Sequence, residues 1–455
     1  MRTSGTANAA FTTTAGEMVD EPVFRRAGQL LACLASRPPL EFGRDRLTIR
    51  QLASHLSVQT QGTLVNIAVR SPEAGAEVDA ELLAAIDRWV EREVRPIVKA
   101  YDHADRYPHE LVEQMKQMGL FGATISPEYG GLGLSAATYA QMVMRISMVW
   151  MSITGIFNSH LMLALAVERF GTPQQKTAWL PRFASGEVRG GLALTEPDAG
   201  TDLQGLRMTA RRDGEDYVIN GTKTWISNGI EGSCFALLVK TDPEATPRHK
   251  GMSLFIAPKG PGFSVGKKLE KLGYKCIDSA ELIFEDYRIG ADHLIGEVEG
   301  QGFYQATGGL ELGRINVAAR GVGIAEGALE LAMQYAQVRR TFGKPICEHQ
   351  AIQLKLGEMA TRARAARLLT LDAARIFDRG ERCDMEAGMA KYFASEAALE
   401  NSIESMRIHG AYGYSKEYDI ERLYRDAPLT CIGEGTNEMQ RIIIARQLIK
   451  RNPAR

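Results

Sequence analysis

The sequence predicts an α+β protein: an N-terminal helical domain, a central antiparallel β-domain, then helices to the end, with a helical extension in front. Three observations carry this. From Val78 onward apolar residues recur at helical spacing. Between residues 190 and 296 the period shortens, and turn signals arrive every eight to twelve residues. Beyond Gly300 helical spacing returns. The boundaries that follow are 1–77 for the extension, 78–189 for the first helical domain, 190–296 for the β-domain and 297–455 for the last helical domain.

In the extension, Leu47 to Val58 is spaced like the first helix and turn of a helix-turn-helix unit, with Gln59 to Arg70 as the second helix. That second segment has Arg70 as its one cation and carries Leu64, Val65, Ile67 and Val69, which suits packing better than phosphate contact. Ser71-Pro72-Glu73-Ala74-Gly75 reads as a linker. Leu82, Leu83, Ile86, Trp89, Val90 and Val94 then mark one helix, and Leu111, Met115, Met118 and Leu120 the next. Pro127 to Ser135 is a turn-rich break whose serine caps a helix expected over 136–149. Its GxGxxA string has no hydrophobic strand before it, so it is not a dinucleotide loop. The apolar stretch from Met144 to Val167 reads as a buried core helix, and Thr172-Pro173 starts another. In the β-domain, Asp213-Gly214, Asn220-Gly221, Asn228-Gly229 and Pro258-Lys259-Gly260 punctuate runs such as Phe235–Val239 and Ser253–Ile256. Gly321-Val322-Gly323 falls inside an Ala-rich helix, and Ile352, Leu356, Met359 and Ala363 form one face of a later one.

Composition excludes several partners. With 455 residues, 45% of them hydrophobic, the chain can bury sizeable cores. A formal net charge of -1 offers no overall attraction to nucleic acid or an anionic membrane. The six cysteines are far apart and form no CxxC pair, so no metal is expected, and a reducing, cytoplasmic location fits. Arg145, Asn158, Ser159 and His160 interrupt the most apolar stretch, so no membrane span is expected, and the first 25 residues lack the apolar core of a secretory signal.

Chemistry points to Cys431-Ile432-Gly433-Glu434-Gly435-Thr436-Asn437-Glu438. Two glycines give the loop freedom, Thr436 or Asn437 can cap the following helix, and Glu434 stands at that helix's entrance. Such a carboxylate could serve as a general base or be an ordinary solvated loop residue. Leu192 to Asp202, LALTEPDAGTD, is a loop with exposed amides and hydroxyls suited to an electron-rich ring or a phosphate. Asn220 to Gly229, NGTKTWISNG, sets an indole beside a hydroxyl on a strand, fit either to cover a flat cofactor or to fill a core.

These strings, followed by Arg339-Arg340-Thr341-Phe342-Gly343-Lys344, His349-Gln350 and the Glu434 loop, resemble the acyl-CoA dehydrogenase family of flavoproteins over residues 79–450. The resemblance implies a C-terminal four-helix bundle, with FAD in the cleft between it and the β-domain. Leu192, Leu194, Thr195, Gly200 and Thr201 would line the flavin, and Thr201 would also touch coenzyme A. Trp225, Ile226 and Ser227 would cover one flavin face. Arg339, Thr341, Phe342 and Gln350 would reach the FAD of a neighbouring subunit, as would Arg407, Gly410 and Ala411. Arg407 and Ala411 depart from the usual Gln and Gly. Thr436 and Glu438 would complete the flavin site. Glu311 and Arg314 would lie near the substrate, with Gly433 and Gly435 beside the acyl group. Some relatives carry their base immediately before this arginine; Gly313 stands there, leaving Glu434.

The implied reaction is α,β-dehydrogenation of an acyl-CoA thioester to a trans-2-enoyl-CoA, with Glu434 taking the α-proton and the β-hydride passing to FAD. Many relatives have an aromatic residue before the base; Gly433 replaces it here, which would leave room for a branched or bulky acyl group. Certain relatives acting on methyl-branched dicarboxylyl-CoA esters also carry an N-terminal extension, so a short, branched or dicarboxylic substrate is expected. An electron-transferring flavoprotein is the expected acceptor, and a dimer of dimers the expected assembly. An acyl-CoA oxidase using oxygen is the close alternative, and a flavin-bearing DNA-associated or regulatory protein the distant one.

Overall fold

The computed structural model describes residues 72–454, with side-chain surroundings from Asp79 onward. The helix-turn-helix-like string at 47–70 lies outside the described residues, as does the rest of the extension before Pro72.

The first helix, α1, is Pro72–Trp89, so the stretch expected as a linker is helical instead. Proline is tolerated at a first helical position because its missing N–H has no intrahelical partner to lose, so Pro72 opens the helix where it had suggested a break. A π-helical turn, Val90–Val94, leads to α2, Val98–Ala104, and α3, His109–Gln117. Ser135 caps α4, Ala136–Ser147, its Oγ accepting from the Thr138 amide at 3.0 Å. The next helix, α5, is Met151–Phe170. The single core helix expected over Met144 to Val167 is therefore two. Trp150 is extended (φ -151°, ψ 94°) and fully buried, so the chain turns while the apolar run continues, and periodicity alone shows no break. By length and hydropathy α5 could cross a membrane, but 83% of that stretch is buried inside the protein. Thr172 and Gln175 form a reciprocal capping box at the start of α6, Pro173–Ala184.

Seven strands follow: β1 Gly190–Ala193, β2 Thr209–Asp213, β3 Asp216–Ser227, β4 Cys234–Lys240, β5 Met252–Pro258, β6 Phe263–Lys268 and β7 Ser279–Gly290. They form one sheet in the order β1-β4-β2-β3-β7-β6, with β5 on the other side of β4. The expectation of a purely antiparallel domain is corrected: β1 and β2 both run parallel to β4. Alternation along a strand reports which face is buried and not which way its neighbour runs. β4 and β5 are buried on both faces, one contributing to the core shared with the helices and the other to a core of the sheet's own.

The chain then returns to helices: α7 Gly302–Thr307, α8 Leu310–Val338, α9 Gln350–Asp378, α10 Asp384–His409, α11 Ile420–Ile432 and α12 Asn437–Arg451. A short hairpin, β8 Arg340–Thr341 and β9 Lys344–Pro345, joins α8 to α9. α8 packs on α9, α10 and α11, and α4 leans on α8 and α9. Small residues let these axes approach. Ala387, Ala390, Ala394, Ala397 and Ala398 of α10 are buried, and α10 packs most extensively on α8. A Cβ on Gly321 would stand 2.7 Å from the Ala394 carbonyl oxygen, and one on Gly323 2.5 Å from that of Met144. Those glycines serve helix packing.

Candidate active site

The loop between α11 and α12 carries Glu434. Gly433 has an ordinary extended conformation (φ -66°, ψ 154°), so the conformational freedom expected there is not used. The left-handed residues are Glu434 itself (φ 55°) and Gly435 (φ 84°). For a non-glycine residue that shape costs about 1 kcal/mol and persists only where the surroundings impose it. Thr436 is the cap of α12, its Oγ1 accepting from the Met439 amide at 3.4 Å.

The Glu434 side chain turns toward α8. A Cβ added to Gly313 would lie 3.2 Å from Glu434 Oε2 and 3.7 Å from Met162 Cε. Burial pushes the Glu434 carboxyl above the usual carboxylate range, while Arg320, Arg314 and Lys391 pull the other way. Burial likewise draws Arg314 below the usual arginine range, with Glu311 the strongest of the negative charges that oppose it. Arg314 Nε and Arg320 Nε and Nη2 are buried without a hydrogen-bond partner among the described residues. The site thus has donor capacity beyond the protein's own needs. The Glu434 amide N–H also donates to no protein acceptor among them. Beside Met162 a narrow cavity of about 10 Å³ is lined by Leu165, Ala166, Leu192, Ala306 and Gly309 among others. Leu192, Gly313, Arg314 and Glu434 are therefore brought together.

The two β-domain strings meet as well. The Thr224 amide donates to the Thr195 carbonyl at 2.9 Å. Lys223 Nζ donates to the Leu194 carbonyl at 3.0 Å and to Glu196 Oε1 at 2.8 Å. Glu196 in turn accepts from the amides of Arg207 and Met208. This buried pair folds the Leu194–Thr201 loop against β3. Trp225 follows at φ 60°, where the β3–β7 register slips, and the residue is 58% exposed. Leu192, Leu194, Thr195 and Ser227 are half-buried, Ile226 is buried, and Gly200 and Thr201 are open to solvent.

A second set gathers elsewhere. Ile346 and Ile408 share a small core with Ala332, Ala336 and Met359, which draws the β8–β9 hairpin to the end of α10. Arg339, Phe342, Gln350, Arg407, Gly410 and Ala411 are exposed around it. Phe342, at φ 51°, is 96% exposed, and Thr341 Oγ1 lies 3.1 Å from His349 Nε2. Arg339 makes no ion pair or side-chain hydrogen bond among the described residues. Along α8, Arg314 and Arg339 are about 37 Å apart. The two sets cannot serve the same ring in one chain. Glu438 is exposed at the first turn of α12, close to the Glu434 loop.

Several residues of the site were given no role from the sequence: Glu196, Lys223, Arg320, Lys391 and Gln440. A signal existed for Lys391. It stands among Ala387, Ala390 and Ala394 on the small-residue face of α10, where an unpaired cation is out of place.

The profiles of the acyl-CoA dehydrogenase N-terminal, middle and C-terminal domains match residues 77–187, 191–287 and 300–449. An acyl-CoA dehydrogenase of Bacillus subtilis (strain 168) is 41% identical over 363 residues, 79% of this chain and 95% of that one. Butyryl-CoA dehydrogenase from Megasphaera elsdenii superimposes with a TM-score of 0.80 at 34% identity, over 82% of this chain and 98% of that one. A chain from a structure of the electron transferring flavoprotein of Acidaminococcus fermentans also gives a TM-score of 0.80, at 38% identity over 82% and 98%. With all three domains matched in order, and with the Glu434 carboxyl turned onto α8 at Gly313, the chain belongs to the acyl-CoA dehydrogenase family of oxidoreductases.

Proposed function

We propose that this protein converts an acyl-CoA thioester to its trans-2-enoyl-CoA, with Glu434 as the base and FAD as the redox cofactor. The observation that carries the reading is half-buried Glu434, its carboxyl packed against Gly313 under the charge of two arginines with spare donors. An α-proton is only weakly acidic, so its removal needs a base of raised proton affinity and donors at the thioester oxygen. Burial supplies the first. The Glu434 amide, free of protein acceptors among the described residues, is suited to the second. Binding of the acyl chain would expel water and raise the carboxyl's proton affinity further.

The chain's residues fit the cofactor. Trp225 offers an exposed indole at the end of β3, Gly200 has open space over its Cα, and the Leu192–Thr201 loop is braced by the Glu196–Lys223 pair. Trp225, Ile226, Ser227, Leu194, Thr195 and Thr201 would hold the ring; Thr436 and Glu438 would close the site. Bound FAD supplies the acceptor for the hydride leaving the β-carbon. Arg339, Thr341, Phe342, Gln350, Arg407, Gly410 and Ala411, at the far end of α8, would hold the cofactor of a second copy, which makes a homo-oligomer part of the reading. Arg339, without an ion pair among the described residues, has the charge that a pyrophosphate requires.

Met162 Cε, 3.7 Å from where a Cβ on Gly313 would stand, narrows the space beside the Glu434 carboxyl and supports a short acyl group, and Gly433 leaves its neighbourhood free of a ring. The likeness to a chain found with an electron transferring flavoprotein supports such a protein as electron acceptor. Anaerobic bleaching of bound flavin by a panel of acyl-CoA esters tests cofactor, reaction and chain length together. Short esters should bleach, and Glu434→Gln should bind them without bleaching. A Glu434→Gln variant keeping a tenth of normal turnover would remove Glu434 from its role. Peroxide release under air would instead assign an oxidase.

A further inference from the structure

The Glu434 loop is fastened from one side by a residue to which nothing above assigns a role in the reaction. Lys391 is fully buried on α10. Its Nζ donates to the Cys431 carbonyl at 3.1 Å, to the Gly435 carbonyl at 2.9 Å and to Asn437 Oδ1 at 2.8 Å. One acceptor lies before Glu434, one directly after it, and one on the first residue of α12. Asn437 is itself fixed, since its Oδ1 also accepts from Ser395 Oγ at 3.0 Å and its Nδ2 donates to Glu396 Oε1 at 2.7 Å. From the other side Gln440 Nε2 donates to the carbonyls of Glu434 and Gly435, both at 3.1 Å. These contacts account for the left-handed backbone at Glu434, which turns its carboxyl toward Gly313.

We propose that Lys391 is the positioning residue of the catalytic base: its ammonium ties both ends of the 431–437 loop to α10 and sets where the Glu434 carboxyl points. The proposal rests on the reading of Glu434 as the base. All three contacts need a proton on nitrogen, so an ammonium fills them and a neutral amine leaves one carbonyl facing a lone pair. Around Lys391 stand Cys431, Glu434, Glu438 and Glu396; around the Glu434 carboxyl stand Arg320, Arg314 and Lys391. Burial draws the lysine down to about 8, so the clamp is charged at neutral pH and loosens in mild alkali.

Lys391→Met keeps the length of the chain and removes the charge and the donors. A base displaced by an ångström loses on the order of 100-fold, so kcat should fall by at least about tenfold, with KM for the acyl-CoA ester changed less than about threefold. The acid limb of the kcat profile should move to higher pH, because one of three cations opposing Glu434's proton is gone. The alkaline limb near pH 8 should vanish. Without substrate, hydrogen exchange at the amides of 432–436 should quicken, a readout independent of turnover. Lys391→Gln keeps two N–H donors but not the charge and should fall between; it carries the test if the methionine variant fails to fold. Glu434→Gln separates the two ideas. If it stays active, the base is elsewhere and both fail. If it is inactive while Lys391→Met and Lys391→Gln keep native kcat, pH profile and exchange, only the positioning role is overturned.

Discussion

Gly313 allows the base to be moved and its position thereby tested. A Cβ at 313 would sit 3.2 Å from Glu434 Oε2. A glutamate rooted there can put its carboxylate where the native one lies, from the helix and not from the loop. Loss of the base in Glu434→Gly should cost roughly 100- to 10,000-fold in turnover, about 3 to 5 kcal/mol on the barrier. It should also relieve about 1 kcal/mol of left-handed strain at φ 55°. Gly313→Glu alone forces two carboxyls into one small volume, so one must stay protonated and the acyl group is crowded; turnover should fall and stability with it. The double variant removes the conflict and restores a base. Its turnover should exceed that of Glu434→Gly by at least about tenfold, a non-additive result expected of groups that share a site. Single-turnover flavin reduction and enoyl-CoA formation measure it directly. A double variant no more active than Glu434→Gly, although folded and loaded with flavin, would refute the shared position of the two carboxyls.

Other expectations follow from the same geometry. Met162→Ala should open the space between Gly309 and the Glu434 carboxyl and raise the ratio of kcat/KM for eight-carbon over four-carbon esters by about tenfold; an unchanged ratio would mean that Met162 does not limit chain length. Gly433→Tyr, at a position with ordinary φ where an added Cβ meets only Leu429 among the described residues, should fold and narrow the accepted branching, and an unaltered panel would count against a role for 433. Arg339→Ala should lose flavin on desalting while Glu434→Gln keeps it, and equal flavin-to-protein absorbance ratios would contradict the assignment. Asp426 is pushed up to about 7 by burial and the charge of Asp102, from an ordinary 3.8. Because its folded value is the higher one, its contribution to stability is full below about 3.8 and is lost as pH rises through about 7. Asp426→Asn should therefore lose less melting temperature than the native protein between pH 5 and 8; an equal loss would show that Asp426 is not the group titrating.

The order of helices, strands and helices was legible because apolar spacing differs between the two kinds of element, and Ser135, Thr172 and Thr436 mark helix starts by local chemistry alone. Strand direction was not, since β1 and β2 look the same whether they run with β4 or against it. The break at Trp150 was hidden by an apolar run that continues on both sides. In the loop, Glu434 and the glycines were visible as a motif, but the sequence could not show that Glu434 takes the strained shape while Gly433 does not. Lys223 looks like a surface cation, and Lys391 is merely out of place on an alanine face, until the partners at Glu196 and the 431–437 loop, 27 to 46 residues away, are brought to them. Charges buried by long-range pairing leave little local trace.

The length of α8 carries a genetic consequence. Its two ends belong to different reaction centres if each centre draws on two chains, so lesions at 434 and at 339 fall in separate complementation groups. Coexpressing a chain altered at one with a chain altered at the other would yield mixed dimers in which one centre inherits both defects and the other none, recovering activity that neither homogeneous dimer possesses.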